Sequence, residues 1–132
     1  MKYLDASLFI SAALDAGRVG EASRALLRRV RDGDMEGATS ALTWNELAYV
    51  VGRRLGRAAG LDAGHQLLAI THLRIVPVDA ELLRAADRTA RDRGLRPRDA
   101  IHIASARRSG ATAIVSEDHD LDGVPGLTRE WV

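Results

Sequence analysis

The chain has 132 residues, 46% of them hydrophobic and 4% aromatic, and its formal net charge is +1 at pH 7. A chain of this length buries about 68% of the surface that its unfolded form exposes, so we expect one globular domain over residues 1–132. The small net charge excludes a general attraction to nucleic acids or anionic membranes, and the absence of cysteine excludes disulfides, thiolate nucleophiles and cysteine-based zinc sites.

The sequence carries no recognisable membrane or secretion signal. Its N-terminus, MKYLDASLFI, has too short an apolar stretch for a signal peptide, and no window approaches the roughly 18 consecutive apolar residues of a membrane span. We therefore expect a soluble cytoplasmic protein. Eighteen of the nineteen basic residues are arginine, which suits phosphate contacts in RNA or DNA. The excess of arginine also follows from the codons of a GC-rich genome, so it does not by itself show that the protein binds nucleic acid.

Strand and helix patterns alternate in the first half of the chain. An apolar strand ends at Asp5, and Ser7 is placed to cap the helix that follows. The segment GEASRALLRRVRDGD has one apolar and one arginine-rich face, which is typical of an amphipathic helix, and Gly33 closes it. The predicted elements here are strands 2–4 and 37–42 and helices 7–14, 20–33 and 43–56.

The alternation continues in the second half. Asp62 and Asp79 are expected to cap helices, and Gly94 and Gly110 to follow helix ends. Pro77 has no N–H to donate, so the strand that contains it belongs at a sheet edge or ends there. The predicted elements are helices 61–73, 79–94 and 96–110 and strands 74–78, 112–115 and 126–132.

This order of elements predicts an α/β fold. Strands that alternate with single helices or helix pairs are typical of an open, mostly parallel sheet covered by helices on both faces. Ligands of such sheets bind beyond the carboxyl ends of the strands, near the point where the strand order reverses. The polar residues that directly follow apolar strands are therefore the candidates for function.

Four acids are candidates for such a site, and each has a structural alternative. Asp5 follows the first strand and Asp118 follows the fourth, where either could belong to a turn. Glu46 and Asp99 lie at helix starts. Thr43 and Glu46 match a capping box, and the helix dipole by itself favours Asp99.

The four acids would form a single site if the fold brings them together. Carboxylates in one cleft repel each other and raise each other's pKa unless a cation neutralises them. Ligation by oxygen alone suits Mg²⁺ or Mn²⁺, and such an ion supports phosphodiester hydrolysis. The sequence has no glycine-rich phosphate loop, serine-hydrolase elbow or zinc motif. His102 shares a helix face with Asp99, which leaves open both a packed, hydrogen-bonded histidine and a role at the metal or a phosphate.

The segments that carry these acids resemble, in order, motifs of the PIN-domain family, especially the VapC-type toxin ribonucleases of toxin–antitoxin systems. YLDASLFI is similar to the family's opening strand, WNELAYV to the helix with the second acid, RPRDAIHIASA to the helix with the third, and IVSEDHDL to the last strand and turn. The resemblance covers essentially the whole chain. It implies a three-layer α/β/α sandwich, Mg²⁺- or Mn²⁺-dependent endoribonuclease activity on RNA, a VapB-type antitoxin partner and a homodimer.

The resemblance also implies roles for the acids. The implied catalytic set is Asp5, Glu46, Asp99 and Asp118. Within it, Asp5, Asp99 and Asp118 are the expected metal ligands, and Glu46 is a ligand or a base that orients the attacking water.

Supporting residues follow from the same resemblance. Ser7 and Ser116 would hold the carboxylates by hydrogen bonds, and Asp120 is a possible auxiliary acid. Arg96 and Arg98 flank the third acid motif, where they are possible contacts for a substrate phosphate.

Three alternatives remain at this point. The chain could be a catalytically inactive PIN-like module that binds RNA or protein, or a housekeeping PIN nuclease without an antitoxin. It could also be a phosphoryl-transfer domain with Asp5 as phospho-acceptor, although that alternative expects a second acid or a Lys near the strand ends in a different pattern, and the only lysine is Lys2. The sequence names neither the RNA nor the number of metal ions.

Overall fold

The structure, a computed structural model, describes residues 1–132 and contains five strands and six helices. The strands are β1 (Lys2–Leu4), β2 (Gly37–Ser40), β3 (Leu73–Val76), β4 (Ala113–Val115) and β5 (Thr128–Glu130). The helices are α1 (Ala6–Leu14), α2 (Arg18–Arg31), α3 (Leu42–Leu55), α4 (Arg57–Leu68), α5 (Ala80–Arg93) and α6 (Pro97–Ser109). None of these helices combines the length and the apolar character that a membrane crossing requires.

All five strands form one parallel sheet in the order β3-β2-β1-β4-β5. The chain runs outward from β1 to β2 and β3, then returns to the other side of β1 with β4, so the strand order reverses between β1 and β4. These two strands are paired in a register that sets Leu4 opposite Val115. The predicted parallel sheet is confirmed. The point at which the strand order reverses lies next to Asp5, which follows β1, and next to the turn with Asp118, which follows β4.

Helices cover both faces of the sheet because successive side chains of a strand point to opposite sides. Tyr3 belongs to a core cluster with side chains of α5 and α6. Leu4 belongs to a second cluster with side chains of α1, α2, α3 and α4. The architecture is therefore the expected three-layer α/β/α sandwich, with four helices on one face and two on the other.

Most element boundaries follow the sequence signals, and the start of α4 does not. Asp79 caps α5 by accepting the Leu82 N–H at 2.9 Å, and Pro77 directly follows the edge strand β3. Asp62, however, lies inside α4, which begins five residues earlier at Arg57. That prediction was wrong because Gly56, with φ 101°, breaks the chain so sharply that α4 begins without a side-chain cap.

The α3–α4 pair packs at unusually short range. A Cβ added to Gly60 would lie 2.3 Å from the carbonyl oxygen of Ala48 and 2.8 Å from the Gly52 backbone. Trp44 crosses α4 at another glycine, since a Cβ on Gly64 would lie 2.7 Å from the indole nitrogen. These two glycines thus permit the helix contact that fixes the start of α3 above the sheet.

We expect Gly60→Ala to lower the free energy of unfolding by about 1–3 kcal/mol, because the new methyl group meets backbone atoms that cannot move independently. Chemical denaturation measures the effect. Gly52→Ala is the matched control, since its added Cβ would find its nearest atoms 3.9 Å away, and alanine is the better helix former. Equal destabilisation of the two variants would contradict the close approach at Gly60.

Candidate metal centre

The candidate site is a cleft of about 620 Å³ beyond the carboxyl ends of β1 and β4. All four predicted acids line it: Asp5, Glu46, Asp99 and Asp118. Other polar residues that line it are Ser7, Asn45, Tyr49, Arg96, Arg98, His102 and Glu117. The fold therefore brings acids from four separate segments of the sequence to one cleft.

Asp5 is fixed at the end of β1. Its N–H donates to the carbonyl of Val115 at 3.0 Å, which continues the β1–β4 pairing, and the residue is 8% exposed. Its Oδ2 accepts hydrogen bonds from the hydroxyls of Ser116 at 2.6 Å and Ser7 at 3.0 Å. Ser7 thus supports this carboxylate as the resemblance implied, and it does not cap α1 because the helix already begins at Ala6, with Asp5 in the N-cap position.

Asp118 combines a turn role with a place in the cleft. Its Oδ1 accepts the N–H of Asp120 at 2.9 Å and so caps the short 3₁₀ turn after β4. Its Oδ2 accepts a hydrogen bond from Arg96 Nη2 at 3.0 Å. The hydroxyl of Ser116 accepts the N–H of Asp118 at 3.1 Å while it donates to Asp5, so one buried serine links the ends of the two central strands.

Asp99 lies in the first turn of α6 and is 5% exposed. Burial raises the pKa of this carboxyl, the hydrogen bond and charge of Arg96 oppose that rise, and the charge of Asp118 adds to it. The net direction is upward. A buried acid whose ionised form needs a nearby positive charge is typical of a functional site.

The guanidinium of Arg96 supplies that charge. Its Nε donates to Asp99 Oδ2 at 3.1 Å, and its Nη2 lies 3.9 Å from Asp120 Oδ2 in addition to its bond with Asp118. The hydrogen bond to Asp99 raises the pKa of Arg96 further. The side chain is 59% exposed, so solvent can replace its contacts when another cation enters.

Glu46 reaches the cleft from α3, and the capping-box alternative was wrong. The helix begins at Leu42, whose N–H donates to the Ser40 hydroxyl at 3.1 Å. The Thr43 hydroxyl is instead hydrogen-bonded to the Thr39 hydroxyl at 2.8 Å, which ties this turn to β2. The Glu46 side chain, 12% exposed, is thus free to extend towards α6.

His102 is the partner that Glu46 meets there. The residue is 2% exposed; its Nε2 lies 2.6 Å from Glu46 Oε1 and 3.4 Å from Asp5 Oδ1. On its other side, Nδ1 lies 2.6 Å from the Tyr3 hydroxyl. Burial by itself lowers the pKa of His102, but the hydrogen bond to Glu46 and the charges of Asp5, Glu46 and Asp99 outweigh it and raise the pKa.

Some residues at the site were not predicted from the sequence. Asn45 and Tyr49 line the cleft. Tyr49 lies three residues after Glu46 and four after Asn45, and this helical spacing was a usable signal. Tyr3 gave none, since an apolar strand predicts only a core residue. His119 lies outside the cleft with its side chain 80% exposed and paired with Asp122, as expected for a residue of a solvated turn.

The donor set fits a divalent cation. Asp99, Asp118 and Asp120 offer carboxylate oxygens that all lie within 4.8 Å of one another, and Asp5 lines the same cleft. These are the hard oxygen ligands that Mg²⁺ and Mn²⁺ take. A cationic side chain, Arg96, already stands among three of them, which marks the position at which positive charge is stabilised.

Comparison with known proteins agrees with this geometry. The family model described as PIN domain matches residues 2–127. No curated protein sequence matches the chain.

Three solved structures illustrate the likeness of fold. The VapC20 toxin of Mycobacterium tuberculosis, a sarcin–ricin loop cleaving toxin, is 19% identical with a TM-score of 0.69 over 86% of this chain and 87% of its own. The VapBC2 complex of Rickettsia felis, bound to a DNA fragment from its promoter, is 17% identical with a TM-score of 0.73 over 99% and 98%. The DNA-bound VapBC complex of Salmonella typhimurium is 17% identical with a TM-score of 0.71 over 98% and 96%.

At these identities the structural likeness is one of fold, and the family model, which spans nearly the whole chain, carries the assignment. The chain belongs to the PIN domain family.

Proposed function

We propose that the protein is a Mg²⁺- or Mn²⁺-dependent endoribonuclease and the toxin of a VapBC-type toxin–antitoxin pair. The observation that carries this proposal is the convergence of Asp5, Glu46, Asp99 and Asp118 in one cleft, with the Arg96 guanidinium held between Asp99 and Asp118. Membership of the PIN family and the fold shared with VapC toxins support it.

The carboxylates divide the work by position. Asp99 and Asp118 are the best-placed metal ligands because their oxygens lie close together; Asp5 is a further ligand and Asp120 an auxiliary one. These carboxylates would hold a divalent ion whose chemistry, once bound, would be to activate a water and to stabilise negative charge on the leaving oxygen.

Glu46 is the candidate base that accepts the proton of the attacking water. Its Oε1 is taken by His102 at 2.6 Å, and the other oxygen, Oε2, lies 3.6 Å from Arg98 Nε. The carboxylate is thus held at one oxygen and can accept a hydrogen bond from water at the other, which is the geometry that a general base requires.

The surroundings of the cleft favour single-stranded RNA as substrate. Tyr49 lines the cleft and is 62% exposed, so its ring offers a face on which an unpaired base can stack. Arg96 and Arg98 lie beside the carboxylates and can turn to phosphates once the acids are neutralised. These three residues would bind the chain around the scissile bond.

An antitoxin partner is supported by a second depression, a groove of about 390 Å³. Its apolar lining comes from α1, α2, α3, α4 and the loop that follows α4, and includes Phe9, Ala12, Leu27, Leu47, Leu67 and Ile70. Arg24, Arg28 and Arg31 line it as well. An apolar groove beside arginines fits an amphipathic helix that carries acidic residues next to its apolar face, such as a segment of a VapB-type antitoxin.

A homodimer in the cytoplasm is part of the same proposal. Leu61 and Leu68 lie two turns apart on α4 and are 40% and 57% exposed, and Leu55 at the end of α3 is 63% exposed. These leucines offer an apolar surface to a second copy of the chain.

We expect Asp5→Asn and Asp99→Asn to lower Mn²⁺-dependent cleavage of RNA at least about 100-fold, the upper end of what loss of even an outer-shell partner of a metal costs. Cleavage is followed on single-stranded RNA with and without a chelator, and circular dichroism checks the fold. Asp87→Asn, an exposed acid of α5 paired with Arg91, is the control and should remain active. Cleavage that survives the chelator and both substitutions would refute the metal mechanism, and an inactive wild type would favour a binding module.

We expect Arg96→Gln to tighten Mn²⁺ binding by about 3- to 10-fold, because the guanidinium then no longer competes for Asp99 and Asp118. Isothermal titration calorimetry measures the dissociation constant. Arg91→Gln, which removes an exposed ion pair on α5, should leave it unchanged. Weaker binding in the Arg96 variant would mean that the arginine supports the ion rather than stands in for it.

We expect Tyr49→Ala to raise KM for single-stranded RNA by about 5- to 100-fold with a smaller change in kcat, since base stacking on an aromatic ring contributes about 1–3 kcal/mol. Tyr49→Phe keeps the ring and should behave as the wild type. An unchanged KM in the alanine variant would remove Tyr49 from the substrate path.

A further inference from the structure

We propose that His102 is a positioning residue for Glu46, and that Tyr3 and the Ser40 amide set its orientation through a buried chain of hydrogen bonds. The chain runs from Ser40 N–H to the Tyr3 hydroxyl at 3.1 Å, from Tyr3 to His102 Nδ1 at 2.6 Å, and from His102 Nε2 to Glu46 Oε1 at 2.6 Å. It rests on the proposed function, since it assigns how one acid of that site is held.

The direction of the chain follows from its first donor. A backbone N–H can only donate, so the Tyr3 oxygen accepts from Ser40, and its own proton is available to His102 Nδ1. Tyr3 is fully buried, so no solvent competes for its hydroxyl. Because a carboxylate oxygen can only accept, His102 Nε2 is the donor to Glu46 Oε1 whether or not Nδ1 also carries a proton.

The distances decide which carboxylate accepts the Nε2 proton. Asp5 Oδ1 lies 3.4 Å away, against 2.6 Å for Glu46, and the other oxygen of Asp5 is already served by two serine hydroxyls. Glu46 has no such hydroxyl, and its only other charged contact is Arg98 at 3.6 Å. His102 is therefore the one close donor that fixes the Glu46 carboxylate.

The burial of the three side chains makes this support rigid. Tyr3 is 0% and His102 2% exposed, and they belong to strand β1 and helix α6, whereas Glu46 comes from α3. The chain thus fixes the carboxylate of one helix against the sheet and a second helix, so that only Oε2 is free for water. Outer hydrogen bonds of this kind typically change activity or metal affinity by about 10- to 100-fold.

The test compares substitutions that remove or keep the donor. His102→Leu fills the space without a donor, and we expect a loss of kcat of about 10- to 100-fold. His102→Gln can present an amide N–H near the position of Nε2, and it should recover part of the rate. Tyr3→Phe, which removes the donor to Nδ1, should lower kcat in the same direction as His102→Leu. His65→Leu, an exposed histidine of α4, is the control and should change nothing.

A double-mutant cycle separates positioning from a general structural role. In a Glu46→Gln background the carboxylate is gone, so adding His102→Leu should lower kcat no further. Calorimetry with Mn²⁺ gives a readout besides activity: the change in dissociation constant in His102→Leu should not exceed that in Glu46→Gln. Additive losses, or a folded His102→Leu protein with the wild-type rate, would overturn the proposal.

The two proposals fail in different ways. If the wild-type chain does not cleave RNA with Mn²⁺, the proposed function fails, and the Mn²⁺-binding cycle still tests the role of His102. If circular dichroism shows that His102→Leu does not fold, His102→Gln and Tyr3→Phe take its place in the cycle. Additivity of these variants with Glu46→Gln would overturn the positioning role while leaving the nuclease assignment intact.

Discussion

Repulsion between carboxylates gathered at one edge of the sheet is the constraint on which the site depends. Asp5 and Asp99 are buried, and burying an ionised acid is unfavourable unless charge or hydrogen bonds compensate it. The compensation differs between the acids. Serine hydroxyls donate hydrogen bonds to Asp5, and the Arg96 guanidinium donates to Asp99 and Asp118. A divalent cation among these oxygens would meet the same electrostatic demand.

The parallel sheet makes this gathering possible. Because β1 and β4 are neighbours whose paired residues end together at Leu4 and Val115, the side chains that follow each strand emerge at one edge. Helices α3 and α6 then begin above that edge, which directs Glu46 and Asp99 to the same cleft. A sheet with β4 on the far side of β3 would have kept the same motifs and separated the acids.

Neighbouring polar groups also decide what each acid can do. Asp118 uses one oxygen to cap a turn and presents the other to the cleft, so its role in the turn is confirmed and does not prevent the carboxylate from lining the cleft. Glu46 differs, because the capping hydrogen bonds that its sequence suggests are absent and a buried histidine holds it instead. The hydrogen bonds of each residue therefore show whether it acts as a cap, which the sequence motif alone does not show.

The sequence by itself determined the α/β class, most helix ends and the four acids of the cleft, because periodicity, glycine and proline positions and the order of motifs are local signals. It did not determine that Thr43 bonds to β2 rather than to its own helix, or that Arg96 joins Asp99 to Asp118. The Thr43 contact depends on where the strand ends and the helix begins, and the contact between Arg96 and Asp118 joins residues that meet only after α6 packs beside the end of β4. Tyr3 is the clearest case: in the sequence it is one apolar position of a strand, and only the packing of α6 against that strand places its hydroxyl beside His102.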